Sequence, residues 1–365
     1  MTHSTKQTAH QGMPPFPKEG APLSFFEFWP AWLFYAPIKA YGLWLALRYG
    51  GLNTITAANP AIMAGGFVGE TKSEIDALLR KHLSAYLPES TFIAPPIHEE
   101  QVLKQIKYTA LSYPIIAKPD AGCRGLGVQK LLDINELKTY IKAFPKDQPL
   151  VLQNYIDWEG EAGVFYIRHP ESESGFIPSL TLKYFPYVYG DGYSTLKELI
   201  CNDPRAGKLS DMYLPKHKER LETIPAKGKE IRLCMAGAHS KGAIFKDGTQ
   251  FVTPQMNALF DRLAKNIEGF YFGRFDVRFK DFSDLETGEN LKIIELNGVG
   301  AEMTHIWDSR TSLMSAYRTL CYQFKTAFEI GAANKKKGAK PMPLKELFAL
   351  IKSYRSSEDQ FPPTH

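Results

Sequence analysis

The chain has 365 residues, of which 44% are hydrophobic and 23% charged, a composition typical of a globular protein with two or three compact lobes. The formal net charge of +5, from 44 basic and 39 acidic residues, is too small for a nucleic-acid-binding surface and suits anionic small molecules or an anionic membrane. Four scattered cysteines without a CxxC pair argue against a structural zinc site and predict a reduced cytoplasmic protein: Cys123, Cys201, Cys234 and Cys321.

The N-terminal 50 residues divide into a polar part and an aromatic part. Residues 1–24 are rich in proline and glycine and predict a disordered tail, without the pattern of a signal peptide. Residues 25–50 hold three of the five tryptophans, and between residues 28 and 47 only Lys39 is charged. This length could span a bilayer, but prolines and a glycine interrupt it, and aromatic rings with basic flanks favour the membrane interface. The alternative is a helical hairpin packed on the body of the protein, and the sequence leaves both open.

Beyond residue 70 the sequence predicts helices and strands in alternation. Ser73, with Asp76 three residues later, predicts the start of a helix that reaches Leu87, and a second helix covers Glu99 to Leu111. Hydrophobic periodicity predicts strands over 114–119, 127–132, 150–156, 161–168, 175–184, 230–236, 271–279 and 291–296, and helices over 134–144, 254–267, 308–330 and 343–354. The pattern indicates an α+β protein with sheets covered by helices.

Polar residues interrupt two of the apolar strands near the C-terminal end of this pattern. The segment LKIIELN carries Glu295 and Asn297 two residues apart, so both side chains point to the same face of the strand. The segment GRFDV carries Asp276 in a neighbouring predicted strand, with Arg274 two residues before it. Carboxylates on a half-buried sheet face require a partner.

The segment AKPDAGCRGLGV, residues 117–128, joins the predicted strand that carries Lys118 to the next strand. Its glycines, Gly122, Gly125 and Gly127, allow main-chain N–H groups to approach phosphate oxygens, and Lys118 adds a fixed positive charge. The loop matches neither a Walker A loop nor a dinucleotide-binding fingerprint, and a glycine-rich turn between strands is common. The loop alone is therefore a weak indication of a phosphate site.

The order of these motifs, with Lys72 at a helix start and Lys183 on a later strand, resembles that of the ATP-grasp ligases. The pattern is similar to D-alanine–D-alanine ligases and to the ATP-grasp part of cyanophycin synthetase, over about residues 70–330. The segments VYGDGYSTLKELICNDPR and IPAKGKEIRL look particularly like the latter. The resemblance implies an ATP-grasp fold, in which two α+β lobes clasp ATP.

With this fold the chain divides into six expected parts. They are a disordered tail (1–24), the aromatic segment (25–50), a short N-terminal lobe (51–112), a small ATP-grasp lobe (113–158), a large ATP-grasp lobe with the metal site (159–332), and a basic linker with a C-terminal helix (333–365). The related ligases carry a full Rossmann-like lobe before the first lysine, whereas only about seventy residues precede Lys72 here. The family therefore does not predict the substrate.

The resemblance also implies a role for each matching residue. Lys72 and Lys118 would bind the α- and β-phosphates of ATP, residues 121–127 would close over the triphosphate, and Lys183 would approach the γ-phosphate. The other implied roles are adenine binding by Gln153, Tyr155 and Ile156, ribose binding by Glu161, metal binding by Asp276, Glu295 and Asn297, and oxyanion stabilisation by Arg274. Oxygen ligands on rigid strands suit Mg²⁺, with Mn²⁺ as a substitute.

The implied reaction joins a small-molecule carboxylate to an amine through an acyl phosphate and releases ADP and phosphate. A thiol or hydroxyl acceptor and a non-catalytic ATP-binding scaffold are the alternatives that remain open. The segment 298–310 departs from the family pattern and carries Glu302, His305 and Asp308. His305 is the candidate base for the acceptor, since its reference pKa near ~6.5 suits proton transfer. The alternative is a loop in which Asp308 caps the next helix.

The expected partners are small molecules and not nucleic acid. Contact of residues 25–50 with a membrane would place the protein on the cytoplasmic face of that membrane. The sequence does not set the oligomeric state, and a dimer is compatible with it. The acyl-phosphate route requires no protein nucleophile, so Cys123 is interpreted as a small residue tolerated beside glycines.

Overall fold

The computed structural model describes residues 9–17, 21–121, 127–235, 237–356 and 361. Within these residues the strands are β1 Ser90–Ile93, β2 Ile115–Pro119, β3 Gln129–Leu131, β4 Leu150–Asn154, β5 Gly160–Ile167, β6 Phe176–Tyr184, β7 Tyr187–Tyr189, β8 Glu230–Arg232, β9 Ile244–Asp247, β10 Phe272–Phe279 and β11 Leu291–Asn297. The α-helices are α1 Ala31–Phe34, α2 Ala36–Tyr49, α3 Lys72–Leu83, α4 Glu99–Lys107, α5 Ile134–Ala143, α6 Leu196–Asn202, α7 Ser210–Tyr213, α8 Pro254–Lys265, α9 Asp284–Thr287, α10 Leu313–Lys336 and α11 Leu344–Ser356. The mixed helix-and-sheet class expected from the sequence is confirmed.

The small lobe is a four-stranded antiparallel sheet in the order β1-β4-β2-β3. One face of this sheet packs on α4 and α5 through buried apolar side chains, among them Val102, Ile115, Leu137, Tyr140 and Leu152. Side chains alternate along β2, so Ala117 is buried and Lys118 points to the opposite face. Strand β1 lies in the segment 51–112 that was expected to form a separate lobe. Because β1 pairs with β4, the sheet of the small lobe begins before residue 113.

The large lobe contains a five-stranded antiparallel sheet in the order β11-β10-β5-β6-β9. Helices α3 and α8 cover one face, where the buried side chains include Ile75, Leu79, Met256, Phe260, Phe275 and Val277. Alternation along β10 places Arg274, Asp276 and Arg278 on the other face. Each lobe therefore has one sheet face covered by helices and one face that carries polar side chains.

The predicted start of helix α3 is wrong by two residues. Thr71 is the N-cap, since its hydroxyl oxygen accepts a hydrogen bond from the main-chain N–H of Glu74. Ser73 instead donates to the carboxylate of Asp120, from its N–H at 2.7 Å and from its hydroxyl at 2.6 Å. Both residue types are good caps, and the tertiary contact with Asp120 decides between them.

The long helix α10 begins later than expected, and Asp308 does not cap it. Ser312 is the N-cap and accepts from the main-chain N–H of Ser315. The Asp308 carboxylate binds Arg310 at 2.7 Å and lies 3.5 Å from the Lys246 ammonium group. These cations hold the pKa of Asp308 below its ordinary value although burial raises it. Asp308 is therefore a buried ion-pair residue.

The aromatic segment 25–50 packs on the body of the protein with one of its sides. The buried side chains on this side are Phe26, Phe34, Ile38, Leu45 and Ala46. On the opposite side Trp32 is 69% exposed and Leu47 is 86% exposed. Among the described residues no helix has the length and apolarity needed to cross a bilayer. The segment thus combines internal packing, one of the two expected alternatives, with an exposed apolar face.

The described part of residues 1–24 packs against the large lobe, contrary to the expected disordered tail. Nε2 of His10 lies 2.8 Å from the carbonyl oxygen of Phe185, and the Tyr184 hydroxyl donates to the carbonyl oxygen of Pro14. The partner aromatic residues lie far away in the sequence. Composition alone does not reveal such a docking site.

Asn59 joins the glycine-rich segment before α3 to the central strand β10. Its side chain is fully buried and makes four hydrogen bonds. The amide nitrogen donates to the carbonyl oxygens of Gly65 and Phe272, and the amide oxygen accepts from the N–H groups of Tyr271 and Phe272. One side chain therefore satisfies polar main-chain groups in two segments.

We expect Asn59→Ala to lower the free energy of unfolding by about 2–4 kcal/mol, because buried main-chain groups lose their partners. Urea titration followed by circular dichroism measures this change. Asn202→Ala is the control, since Asn202 is exposed at the end of α6, and we expect a change within about 0.5 kcal/mol. Equal stabilities of the two variants would contradict the role of Asn59.

Candidate active site

Asp276 is the centre of the polar face of the large sheet. Its side chain is 3% exposed, and Oδ1 lies 3.0 Å from the Lys183 ammonium nitrogen and accepts from Arg274 Nε at 2.8 Å. Arg274 Nη2 donates to Oδ2 at 2.9 Å. Burial raises the pKa of Asp276, but Arg274 and Lys183 outweigh burial and hold the pKa at about 2. Asp276 is therefore an ionised carboxylate at neutral pH.

Strand β11 places Glu295 and Asn297 beside Asp276, as the sequence predicts. In the register of β10 and β11, Asp276 lies opposite Glu295 and Arg274 lies opposite Asn297. The amide nitrogen of Asn297 donates to Asp276 Oδ2 at 3.3 Å. Glu295 is exposed to solvent. The register thus brings these three residues together at neighbouring positions of the sheet, and their role in metal binding stays a prediction.

A glycine contact fixes the loop that follows Asn297. Gly66 has a φ of +74°, and a Cβ atom at this position would lie 2.5 Å from the Cα atom of Gly298. The N–H groups of Val299 and Gly300 donate to the carbonyl oxygens of Gly65 and Gly66. Only glycine permits this close approach of two main chains.

Lys183 connects Asp276 to a second buried carboxylate, Glu161. The Lys183 ammonium nitrogen lies 3.3 Å from Glu161 Oε1, and Arg278 Nε lies 3.2 Å from Glu161 Oε2. Arg278 also donates to the carbonyl oxygen of Ile156 at 2.6 Å. Glu161, for which the resemblance implies ribose binding, is therefore engaged by two cations. Arg278 was missed from the sequence, although its spacing of two from Asp276 indicates the same strand face.

Lys118 lies on the polar face of the small sheet and donates to Gln153 Oε1 at 2.9 Å. Lys72 donates to the carbonyl oxygen of Asp120 at 3.2 Å. Burial and the neighbouring Lys72 lower the pKa of Lys118 to about 8, against the opposite effect of Glu295. Glu295, on β11 of the large sheet, is thus near enough to Lys118 to act on it electrostatically.

Tyr155 and Ile156 lie where the two lobes join. The Lys130 ammonium nitrogen lies 3.8 Å from the centre of the Tyr155 ring, and the Arg278 guanidinium carbon lies 5.4 Å from it on the other lobe. The carbonyl oxygen of Ile156 accepts from the same guanidinium group. The Tyr155 ring thus lies between a lysine of the small lobe and an arginine of the large lobe.

The predicted phosphate loop is described only in part. Gly122, Cys123 and Gly125 lie outside the described residues. Gly127 has a φ of +66°, and its carbonyl oxygen accepts a 2.7 Å hydrogen bond from the buried Tyr140 hydroxyl. The C-terminal end of the loop is thus attached to α5.

Glu302, which the sequence offered only as one of three polar residues, lies next to Arg274. Its carboxylate accepts hydrogen bonds from the Tyr35 hydroxyl at 2.7 Å and from Trp307 Nε1 at 2.8 Å. Burial raises the pKa of Glu302, although both hydrogen bonds lower it. Tyr35 is 267 residues away in the sequence, so no local pattern indicated this contact.

His305 lies at the edge of the site and not beside Asp276. Its Nδ1 is 2.6 Å from the hydroxyl oxygen of Ser179 on β6, and burial lowers the pKa of its imidazole. Ser179 and Lys183 share one face of β6 but lie four residues apart, roughly 13 Å at the usual rise per strand residue. His305 therefore has the neutral form a base requires but lies away from the acidic centre.

Glu70, two residues before Lys72, is a further site residue that sequence reasoning missed. Its Oε2 atom is buried and has no hydrogen-bond partner within the described part of the chain. Burial and, to a smaller extent, the nearby Glu295 carboxylate raise the pKa of Glu70 to about 7. The available signal in the sequence was an acidic residue two positions before the first lysine of the motif.

The oxygen donors of the site fit a hard divalent cation. Asp276 and Glu295 contribute carboxylates and Asn297 an amide oxygen, and these are the donors that Mg²⁺ and Mn²⁺ prefer. In the described residues no group of three or more His, Cys, Asp or Glu side chains has a metal-binding arrangement. A cation would share the Asp276 carboxylate with Arg274 and Lys183.

No protein-family model matches the chain, and no curated protein matches it. Among solved structures it is similar to a bifunctional glutathione synthetase from Pasteurella multocida, with 16% identity and a TM-score of 0.37, over 71% of this chain and 38% of that chain. It is also similar to VanG D-Ala:D-Ser ligase from Enterococcus faecalis, with 14% identity and a TM-score of 0.40, over 72% of this chain and 62% of that chain. The match to D-alanine–D-alanine ligase from Bacillus anthracis has 15% identity and a TM-score of 0.41, over 73% of this chain and 69% of that chain. The chain thus spans less than two thirds of the first two proteins. These TM-scores lie below 0.5, so the functional assignment depends on the geometry of the site.

The two site lysines should respond in opposite ways to replacement by methionine. Lys183→Met removes the cation between two buried carboxylates, and we expect it to lower the free energy of unfolding by about 3–5 kcal/mol. Lys118→Met should raise the melting temperature at pH 7, because the lowered pKa of Lys118 means that its charge is unfavourable in the folded state. Differential scanning calorimetry measures both.

The pH dependence of the stabilisation by Lys118→Met is the control for this prediction. Its pKa is about 8 in the folded protein and near ~10.4 in an unfolded chain, so between these values the folded state loses the unfavourable charge. The stabilisation by Lys118→Met should therefore decrease as the pH rises from 7 to 9.5. A gain that stays constant or grows over this range would contradict the assignment.

Proposed function

We propose that the protein is an ATP-dependent ligase that joins a carboxylate to an amine through an acyl phosphate. The observation that supports this most directly is the juxtaposition of lysines and acidic side chains. Lys72, at the start of α3, and Lys118, on β2, lie near Glu295 of the large sheet, whose carboxylate opposes the lowering of the Lys118 pKa by burial and by Lys72. Cations beside acidic oxygen donors are the arrangement that a metal–polyphosphate ligand requires.

Within this proposal the resemblance to ATP-grasp ligases assigns the parts of the site. Lys72 and Lys118 would hold the α- and β-phosphates beneath the loop of residues 121–127, and Lys183 would turn toward the γ-phosphate. Adenine would lie against Gln153, Tyr155 and Ile156, where the lobes meet, with Glu161 near the ribose. Glu161 and Lys183 form an ion pair with each other, so ATP binding would rearrange that pair.

The chemistry then follows from charge placement. A Mg²⁺ ion held by Asp276, Glu295 and Asn297 would neutralise the phosphate oxygens. A carboxylate oxygen of the substrate attacks the γ-phosphorus, the bond to the β,γ-bridging oxygen breaks, and ADP leaves. The amine then attacks the acyl carbon, the C–O bond to phosphate breaks, and the amine proton passes to a base. Arg274 would stabilise the oxyanion formed in this second step.

The proposal is tested by the products of turnover. The protein is incubated with ATP, Mg²⁺ and a protein-free cell extract, and condensation products are sought by untargeted mass spectrometry. We expect ADP and phosphate, and added hydroxylamine should trap the acyl phosphate as a hydroxamate. Stoichiometric AMP and pyrophosphate would exclude this mechanism. Nucleotide binding without ADP formation from any extract would indicate a scaffold, and thioester or ester products would indicate another acceptor.

Glu295→Gln should reduce ADP formation about 10²- to 10³-fold, by analogy with other lost electrostatic groups, since it removes a ligand charge at constant volume. Because Glu295 is exposed, the melting temperature should not change. Glu289→Gln is the matched control, an exposed glutamate just before β11, and it should keep full activity. Asp276→Asn should also lose activity. Normal turnover by Glu295→Gln would show that the metal assignment is wrong.

We further propose that the exposed face of residues 25–50 binds an anionic membrane surface. This face carries Trp32, Trp44 and Leu47, with exposed fractions of 69%, 50% and 86%. Lys39 and Arg48 are also exposed, and no acidic residue occurs from residue 28 to residue 69. Indole rings and basic side chains around an apolar face match the headgroup region of an anionic bilayer.

Replacement of Trp32, Trp44 and Leu47 together by serine should abolish sedimentation with phosphatidylserine-containing vesicles at low salt. Substitution tests the face better than deletion, since deletion would also remove the buried Phe26 and Phe34. The control is Tyr108→Ser with Tyr193→Ser, two aromatic residues exposed to 81% and 78% elsewhere. Full-length protein that stays in the supernatant would exclude the membrane proposal and leave the ligase proposal intact.

A further inference from the structure

Tyr35, between α1 and α2, reaches from the aromatic segment to the loop that follows Asn297. Its hydroxyl donates to Oε1 of Glu302, and Trp307 Nε1 donates to Oε2 of the same carboxylate. Each oxygen of Glu302 is thus held by one neutral donor. Because the two donors approach from different segments of the chain, they fix the orientation of Glu302.

Glu302 contacts Arg274 through its main chain. Arg274 Nη1 donates to the carbonyl oxygen of Glu302 at 3.0 Å, while Nε and Nη2 donate to Asp276. The guanidinium group is therefore attached at both of its ends. A shift of the Glu302 peptide would rotate the Arg274 guanidinium group about Asp276. Three consecutive contacts thus connect the Tyr35 hydroxyl to the centre of the site.

The segment that carries Tyr35 is attached to the large lobe by a second buried contact. Glu27 is 4% exposed, accepts a 2.6 Å hydrogen bond from Arg205 Nη2 and lies 2.9 Å from Nε2 of His239. Burial raises the pKa of Glu27, but His239 and Arg205 lower it below its ordinary value, so the carboxylate is ionised. Tyr35 is therefore presented to Glu302 from an anchored segment.

We propose that Tyr35 is a positioning residue of the ligase reaction and acts on Arg274 through Glu302. The inference rests on the proposed function, in which Arg274 stabilises the charge that develops when the acceptor attacks. A donor that is already in place stabilises this charge without reorganisation, and a misplacement of about 1 Å can cost ~10²-fold in rate. The N-terminal aromatic segment then completes the catalytic centre in addition to packing on α10.

The test compares Tyr35→Phe with Tyr49→Phe. Tyr49 lies on the same segment, and its hydroxyl also donates to a glutamate, Glu329, at 3.2 Å, but this glutamate lies on α10 away from the site. ADP formation is measured with MgATP and a protein-free cell extract, and MgADP binding is measured by calorimetry. We expect Tyr35→Phe to lower kcat about 10- to 100-fold. Its KM for ATP, its MgADP affinity and its melting temperature should match those of Tyr49→Phe.

A double variant separates positioning from a purely structural role. If Tyr35 acts through Arg274, Tyr35→Phe should have little further effect in an Arg274→Lys background. Equal kcat values for Tyr35→Phe and Tyr49→Phe would overturn the inference, and so would full additivity of Tyr35→Phe with Arg274→Lys. In either case turnover by the wild-type protein would still support the ligase proposal. If Tyr35→Phe proves unstable, Glu302→Gln replaces it and should show the same kcat loss. A wild-type protein that neither binds MgADP nor forms ADP would refute both proposals.

Discussion

Lys183 lies between two buried carboxylates, and the polar face of the large sheet depends on this one cation. Transfer of a charge into a protein interior costs several kcal/mol unless an opposite charge is held close to it. Asp276 and Glu161 meet this condition because Lys183 contacts both, with Arg274 and Arg278 at the two ends of the row. Strands β5, β6 and β10 must keep their register for these contacts to form. The same interaction therefore stabilises the fold and fixes the geometry of the site.

The parts of the site that the sequence predicted are those that depend on local periodicity. The two-residue spacing of Glu295 and Asn297 determines that they share a strand face, whatever the rest of the fold. Asp276 alternates with buried phenylalanine and valine side chains in the same way. The sequence could not decide between chemically similar groups near a helix start. Thr71, and not Ser73, caps α3 because the distant Asp120 binds Ser73.

The contacts that the sequence did not predict join segments far apart in the chain. Asn59 binds β10 across 213 residues, and Tyr35 binds Glu302 across 267 residues. Hydrophobic periodicity carries no information about such pairs, since any buried asparagine or tyrosine would give the same pattern. The exposed face of residues 25–50 also depends on contacts with distant parts of the chain. The sequence shows twenty residues there with only Lys39 charged, but only the packing of Phe26 and Phe34 determines which side remains outside.

The side chains that line the site carry more positive than negative charge. Arg274, Lys183 and Arg278 surround two buried carboxylates, so this row retains one surplus positive charge. Lys72, at the start of α3, and Lys118, on β2, add two more positive charges, and their mutual repulsion contributes to the lowered pKa of Lys118. Glu295, Asp76 and Asp120 raise the pKa of Lys118 but do not offset burial and Lys72. A polyanion bound with a divalent cation would supply the missing negative charge and would give Glu295 a positive neighbour. The unfavourable charge of Lys118 in the free protein is therefore physically consistent with a site built for a metal–polyphosphate ligand.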